Sequence, residues 1–88
     1  MYKVEFSKRA QKDLKKLDKP IRTLIIAWIE KNLNNIEDPR SLGKNLVGDK
    51  KGLWRYRIGS YRLICIIEDE RLIIHALNIG HRSDIYSM

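Results

Sequence analysis

The chain has 88 residues, and its 18 Lys and Arg residues outnumber its 11 Asp and Glu residues, which gives a formal net charge of +7. This length predicts one compact domain over residues 1–88, and the sequence predicts neither a leader peptide nor a membrane span. The single cysteine excludes a disulfide framework and fits a cytoplasmic protein. The excess of positive charge favours a polyanionic partner.

The positive charge is concentrated in one part of the chain. Residues 40–62 contain seven Lys or Arg residues and one acidic residue, whereas residues 63–79 contain one basic residue and three acidic ones. A general need for solubility explains the total charge but not this clustering. The segment 40–62 is therefore the candidate binding surface for a polyanion.

The first half of the chain predicts a strand followed by two helices. Residues 2–6 alternate apolar and charged side chains, as in a strand with one buried face. Ser7 stands where a helix N-cap is expected, before a narrow apolar stripe set among lysines. Pro20 suits the first turn of a second helix, whose apolar residues recur at spacings of three and four. Trp28 lies within that stripe, so we expect it in the core and not as a platform for nucleobases.

The second half of the chain predicts a long loop and three strands. Residues 34–52 lack a sustained period and contain Asn, Asp, Pro and Gly, which indicates a loop. Strands are predicted over residues 53–58, 61–67 and 72–79. The complete order predicts an α+β fold, in which an N-terminal strand and a three-stranded antiparallel meander form a four-stranded sheet covered by a two-helix hairpin.

A two-residue turn at Gly59 and Ser60 fixes how the strands on either side of it pair. Counting outward from the turn places Arg57 opposite Arg62 and puts Arg55 on the same face. Like charges placed directly opposite each other destabilise a strand pair, which suggests a functional reason for them. Guanidinium groups bind phosphate through two parallel hydrogen bonds, so we expect a phosphodiester site here. The alternative is that the arginines are solvated charges on an ordinary outer face.

The C-terminal stretch adds further polar groups after the last predicted strand. It can fold back over the face that carries Arg55, Arg57 and Arg62, called the arginine face below. It brings an imidazole, a guanidinium and a phenol from His81, Arg82 and Tyr86. Taken alone, His81 fits a surface role better than a catalytic one, and we expect His75 to be structural. Two histidines and one cysteine do not make a recognisable metal site, and there is no phosphate-binding glycine loop, so we expect no metal and no cofactor.

Two motifs resemble the RelE branch of the RelE/ParE toxin superfamily. They are Leu53-Trp-Arg-Tyr-Arg-Ile-Gly-Ser-Tyr-Arg-Leu63 and Asn78-Ile-Gly-His-Arg-Ser-Asp-Ile-Tyr86. The order of the predicted elements and the chain length match this family along essentially the whole chain. Two features differ from the family pattern: Ser60 stands where Asp is common, and Arg replaces Lys on the strand before that turn, which removes a conceivable lysine base.

The resemblance implies a type II toxin that cleaves mRNA in the ribosomal A site without a metal ion. Its implied partners are the ribosome with bound mRNA and a cognate antitoxin protein, with no membrane. The implied catalytic residues are Arg55, Arg57, Arg62, His81, Arg82 and Tyr86. The loop residues expected to bind RNA are Lys44, Lys50 and Lys51.

Guanidinium groups cannot act as the general base because they keep their proton. We therefore expect Arg57, Arg62 and Arg82 to hold the scissile phosphate, while Tyr86, His81 or the ribosome transfers protons. Two alternatives stay open at this point. One is a ParE-like toxin that inhibits DNA gyrase without nuclease activity, and the other is an RNA-binding module without chemistry.

Overall fold

The computed structural model describes residues 1–46 and 52–81. It confirms the α+β class, with two helices and one mixed sheet. A single 3₁₀ turn, Pro39–Ser41, lies between the helices and the second strand. The helices and strands in chain order are β1 (Lys3–Phe6), α1 (Lys8–Lys16), α2 (Lys19–Asn32), β2 (Lys44–Asn45), β3 (Trp54–Ile58), β4 (Tyr61–Glu68) and β5 (Ile73–His81).

Helix α1 begins where the sequence predicts because Ser7 caps it. The Ser7 hydroxyl accepts a hydrogen bond from the Ala10 backbone N–H at 3.0 Å and donates one to the Leu77 carbonyl at 2.7 Å. The Asp13 carboxylate accepts a bond of 2.9 Å from the Ile79 backbone N–H. These contacts fix α1 across β5, so the end of β5 is held in place from the helical side.

The sheet has five strands in the order β1-β5-β4-β3-β2, one more than predicted. Strand β1 pairs parallel with β5, and the other neighbours are antiparallel. The additional edge strand is β2, in which Lys44 and Asn45 pair with Arg55 and Trp54. A two-residue strand has no periodicity to detect, so the sequence predicted only a loop there.

The core lies between the helices and one face of the sheet. Ile25 and Ile29 of α2 and Tyr56 and Leu63 of the central strands are at most 1% exposed. Trp28 packs at the margin of this core, with its ring centroid 6.2 Å from that of Tyr56, and it is only partly buried. The prediction that Trp28 lies in the core is therefore correct for part of its ring, and the rest of the ring stays accessible to solvent. Within the described residues, neither helix is long and apolar enough to cross a membrane.

Candidate active site

The hairpin of β3 and β4 brings the three predicted arginines to one face of the sheet. Its tight turn contains Gly59 in the left-handed region, at φ 60°, which glycine adopts without a steric penalty. Arg57 pairs directly with Arg62, and Arg55 pairs with Ile64, so the predicted register is confirmed. Directly paired residues point to the same side of a sheet. The arginines therefore share the face that is turned away from the helices.

Strand β5 continues this face on the other side of β4. Arg62 pairs with Gly80, and Ile64 pairs with Asn78. Gly80 contributes no side chain next to the Arg62 guanidinium, while Asn78 contributes an amide whose Oδ1 is buried and has no hydrogen-bond partner. The arginine face is thus built from three adjacent strands.

Arg62 is buried, at 3% exposed, which the sequence did not predict when it placed this side chain on an outer, substrate-facing surface. Its Nη1 lies 3.4 Å from the Tyr61 carbonyl oxygen, and its Nε has no hydrogen-bond partner. Among the described residues no carboxylate forms an ion pair with Arg62. Strand alternation gives the face of a residue but not how deeply neighbouring groups cover it, which is why the prediction missed the burial. A buried guanidinium without an anion carries a desolvation cost that a bound phosphate would offset.

Arg57 and Arg55 differ from Arg62 in their access to solvent. Arg57 is exposed and Arg55 is half-buried. The exposed Arg57 faces Arg62 across the strand pair, so the two cations repel each other. An anion that enters this face meets Arg57 first and gains most once it reaches the desolvated Arg62.

His81 is the last residue of β5, because that strand runs two residues past its predicted end. It pairs with Tyr61, and the two rings meet edge to face with centroids 5.6 Å apart and planes at 86°. Tyr61 lies on the opposite face from Arg62, since neighbours along a strand alternate. The exposed imidazole therefore stands at the margin of the sheet and not among the arginines. Arg82 and Tyr86 lie outside the described residues.

Lys44 stands beside the arginine face because β2 pairs it directly with Arg55. The Lys44 side chain is exposed. The backbone conformation of Gly43, directly before it, determines where Lys44 lies. Gly43 has φ 77°, and a Cβ at this position would lie 2.3 Å from the Arg55 carbonyl oxygen. The neighbouring Leu42 carbonyl accepts a bond of 2.8 Å from Trp54 Nε1. Lys50 and Lys51, the other predicted RNA-binding residues, lie outside the described residues.

The segment 38–45, which carries Lys44, is also anchored at its start. The Tyr56 hydroxyl donates a buried bond of 2.6 Å to the Pro39 carbonyl, and burial raises the pKa of this phenol, so it stays a donor. Arg40 makes bonds of 2.9 and 3.1 Å to the two oxygens of Asp69, which also accepts a bond of 2.6 Å from the Tyr2 hydroxyl. Lys44 is therefore held by a segment tied to the sheet at both ends.

The family model for the ParE toxin of type II toxin-antitoxin systems matches residues 4–86 of the chain. The chain is a toxin of the RelE/ParE superfamily. Toxin RelG of Mycobacterium tuberculosis is 34% identical to this toxin over 85 residues, covering 97% of this chain and 95% of that protein. Toxin RelE of the same organism is 32% identical over 87 residues, covering 99% and 88%.

Solved structures show the same fold for this toxin. The crystal structure of the toxin-antitoxin complex RelBE2 from Mycobacterium tuberculosis contains a chain with a TM-score of 0.83 and 32% identity, covering 92% of this toxin and 98% of that chain. The isolated Escherichia coli RelE toxin has a TM-score of 0.69 at 23% identity, covering 99% and 93%, and supports the fold alone. The family resemblance of the two sequence motifs is thereby confirmed.

One feature next to the arginine face has no counterpart in the predictions. A cleft of about 290 Å³ opens between α2, the segment 38–45 and β3. Trp28, Leu42 and Tyr56 form its apolar walls, and Lys44 and Arg57 are among its basic residues. Trp28 and Leu42 lie far apart in sequence, so no local pattern could have brought them together. The described residues contain no group of three or more His, Cys, Asp or Glu side chains arranged to hold a metal ion.

Proposed function

We propose that this toxin is a cytoplasmic, ribosome-dependent endoribonuclease. It cleaves mRNA in the ribosomal A site and is restrained by a cognate antitoxin. The observation that carries the proposal is the arginine face, where Arg62 is buried opposite Arg57 with no carboxylate ion pair among the described residues. Folding alone gains nothing from this arrangement. A phosphodiester supplies the missing negative charge.

Cleavage of RNA by its own 2′-hydroxyl needs three things from a catalyst. The 2′-hydroxyl has to lose a proton, the phosphoryl oxygens have to be stabilised as they gain charge, and the departing 5′-oxygen has to gain a proton. Arg57 and Arg62 stand on neighbouring strands and serve the second need, because guanidinium groups remain charged throughout the reaction. Arg82 and Arg55 are proposed to complete this set.

The two proton transfers need groups other than arginine. His81 lies exposed at the end of β5, but it pairs with Tyr61 and therefore points to the face opposite Arg62, so it is a weaker candidate than its place in the sequence suggests. Tyr86 is the second candidate on this chain. We propose that one of them, or a group of the ribosome, removes the 2′-hydroxyl proton and that another donates to the 5′-oxygen. The proposed chemistry uses no metal ion.

The burial of Arg62 gives a physical reason for dependence on the ribosome. A side chain that is 3% exposed reaches a phosphate only after the groups that cover it have moved. A flexible RNA in solution would have to supply the free energy for this movement and also order its own backbone. A codon that the ribosome already holds in an extended form needs no further ordering of its backbone. Positioning by the ribosome therefore contributes much of the rate.

An antitoxin partner follows from the same charges and from the relatives. RelBE2 of Mycobacterium tuberculosis is a toxin-antitoxin complex. We propose that a cognate antitoxin binds this toxin with acidic residues placed against the cations of residues 40–62. Such a partner would add binding free energy to a small core and thereby stabilise the fold.

A second candidate function is inhibition of DNA gyrase, because the matching family model is that of the ParE toxin. The two candidates make different demands on the arginine face. A nuclease needs Arg62 at the reacting phosphate, whereas a gyrase inhibitor needs only a protein-binding surface. The sequence similarity to toxins named RelG and RelE favours the nuclease.

Primer extension on translating ribosomes tests the proposal. The purified toxin is added to a translation reaction, and its effect on purified gyrase is measured in parallel. We expect new RNA ends within the codon of the A site and unchanged DNA supercoiling. Inhibited supercoiling with intact mRNA would refute the nuclease and support the ParE-like alternative. Binding to RNA without either effect would indicate a module without chemistry.

A further inference from the structure

The cleft of about 290 Å³ combines aromatic walls with a basic border. It opens beside the last residues of β3, at the edge of the sheet where the short strand β2 covers only Trp54 and Arg55. Arg57 borders both this cleft and the arginine face. A ligand held at the arginines can therefore place a neighbouring group in the cleft.

The walls of the cleft are suited to a flat apolar group. Trp28 is half-buried, with one part of its ring against Tyr56. Leu42 contributes a second apolar wall and is 38% exposed, so its side chain is accessible to a ligand in the cleft. Among the described residues the Trp28 indole N–H has no hydrogen-bond acceptor, whereas the indole N–H of Trp54 bonds to the Leu42 carbonyl.

The border of the cleft carries positive charge and no carboxylate. Lys44, Arg55 and Arg57 line it, and no acidic residue does. A larger cleft among the described residues, of about 540 Å³, has Glu5 and Glu68 in its lining and neither Lys nor Arg. The positive border therefore favours the smaller cleft over this one for an anionic ligand.

We propose that this cleft is a nucleobase-binding site, which takes one base of the RNA strand while the arginine face holds the adjacent phosphate. This rests on the proposed function, since it assigns the RNA to the same face. A base offers two flat apolar surfaces for Trp28 and Leu42, and its ring acceptors can take a bond from the indole N–H. The volume lies at the lower end for small-molecule sites, which fits one planar base and not a larger ligand.

This site gives the toxin a way to select among RNA sequences. The arginines contact phosphate, which is the same in every nucleotide, so they carry no sequence information. A cleft with two apolar walls, an indole N–H and basic side chains at its border discriminates between bases by shape and by the position of their acceptors. Trp28 and Leu42 are therefore specificity-determining residues in this proposal.

The experiment is a double-mutant cycle between the cleft and the base. The probe is a labelled short RNA with 2′-O-methyl riboses, which cannot be cleaved, and its counterpart lacks the base on one side or the other of the central phosphate. Binding to the free toxin is measured at low salt. For the parent toxin we expect removal of one of these bases to raise Kd about tenfold. For Trp28→Leu and Leu42→Ala, removal of that base should change Kd by less than about twofold.

Matched variants separate the site from general damage. Leu24→Ala removes the same atoms as Leu42→Ala, from a leucine that is 58% exposed on α2 outside the cleft, and should keep the full tenfold effect. Trp28→Phe keeps a six-membered aromatic ring but loses the five-membered part of the indole with its N–H, so it should keep part of the stacking and change which base binds best. Leu42 is exposed, so its variant folds even if Trp28→Leu does not.

Two results would overturn the proposal. One is an equal loss on base removal for the parent and both cleft variants. The other is that Leu42→Ala weakens only the binding of the antitoxin, which would assign the cleft to a protein partner. Because the probe measures binding, a toxin that binds through the cleft but cuts no mRNA on ribosomes would refute the proposed nuclease and leave this site intact.

Discussion

Two regions of the molecule hold arginines in opposite ways. At the turn between β4 and β5, Arg40 is paired with Asp69, and Arg71 and His75 are both paired with Glu68. On the arginine face, Arg57 and Arg62 have no carboxylate ion pair within the described residues. An arginine ion pair thus closes a loop in one region, whereas in the other the described residues supply no carboxylate to Arg57 or Arg62. Whether an arginine has a carboxylate partner therefore distinguishes a structural arginine from one that is available to a ligand.

The largest expected effect comes from removing the buried cation. Arg62→Ala should lower single-turnover cleavage on programmed ribosomes by about a hundredfold, since one transition-state phosphate contact contributes on the order of 3 kcal/mol. The matched control is Arg71→Ala, which removes a paired arginine and should cleave at the parent rate. Equal rates for both variants would remove the distinction between the two regions.

Gly43 links the two regions, because it lies within the anchored segment directly before Lys44, which pairs with Arg55. Gly43→Ala should lower the free energy of unfolding by about 2 kcal/mol, since it combines a positive φ with a Cβ placed 2.3 Å from a backbone oxygen. Urea unfolding measures this loss. Gly52→Ala is the control, because its φ is also positive but its Cβ would meet nothing within 4 Å. A loss no larger than that of Gly52→Ala would show that the close contact is unimportant.

The repulsion between Arg57 and Arg62, which face each other across β3 and β4, predicts a smaller change in stability, and of opposite sign. Arg57→Gln should raise the free energy of unfolding by a few tenths of a kcal/mol, because like charges no longer face each other, and it should also slow cleavage. Thermal unfolding at low and high salt checks this, since added salt screens the repulsion in the parent and should narrow the difference. A variant less stable than the parent at both salt concentrations would contradict it.

The ion-paired turn between β4 and β5 predicts the smallest effect, which is a loss of stability at acid pH. The hydrogen bonds of Glu68, from Arg71 first and His75 second, lower the pKa of its carboxyl from 4.5 to about 2. A lowered pKa in the folded state means that the contribution to stability is complete above the unfolded value and is lost as the pH falls from about 4.5 towards 2. Glu68→Gln should therefore be less stable than the parent at neutral pH and equal to it near pH 2. A stability difference that stays constant across this range would show that the carboxylate does not contribute.

The sequence predicted those features that depend on local periodicity. The turn at Gly59 fixes the pairing of Arg57 with Arg62 by counting alone, and Ser7 marks the start of α1. Three features depend on contacts between distant residues and were missed. They are the edge strand at Lys44, the burial of Arg62 and the cleft beside Trp28. Alternation along a strand determines which way a side chain points, but only the assembled fold determines what covers it.

The parallel pairing of β1 with β5 has a consequence for the order of events during folding. Lys3 pairs with Ile73 and Phe6 with Ala76, so the first strand of the chain has to wait for the last one. The hairpin of β3 and β4 is local and can form early, whereas closing the sheet needs contacts across about 70 residues. A folding chain can thus display its arginine pair before β5 supports it from the side. The interval between these two steps is the time in which the proposed antitoxin would meet a toxin that has not completed its fold.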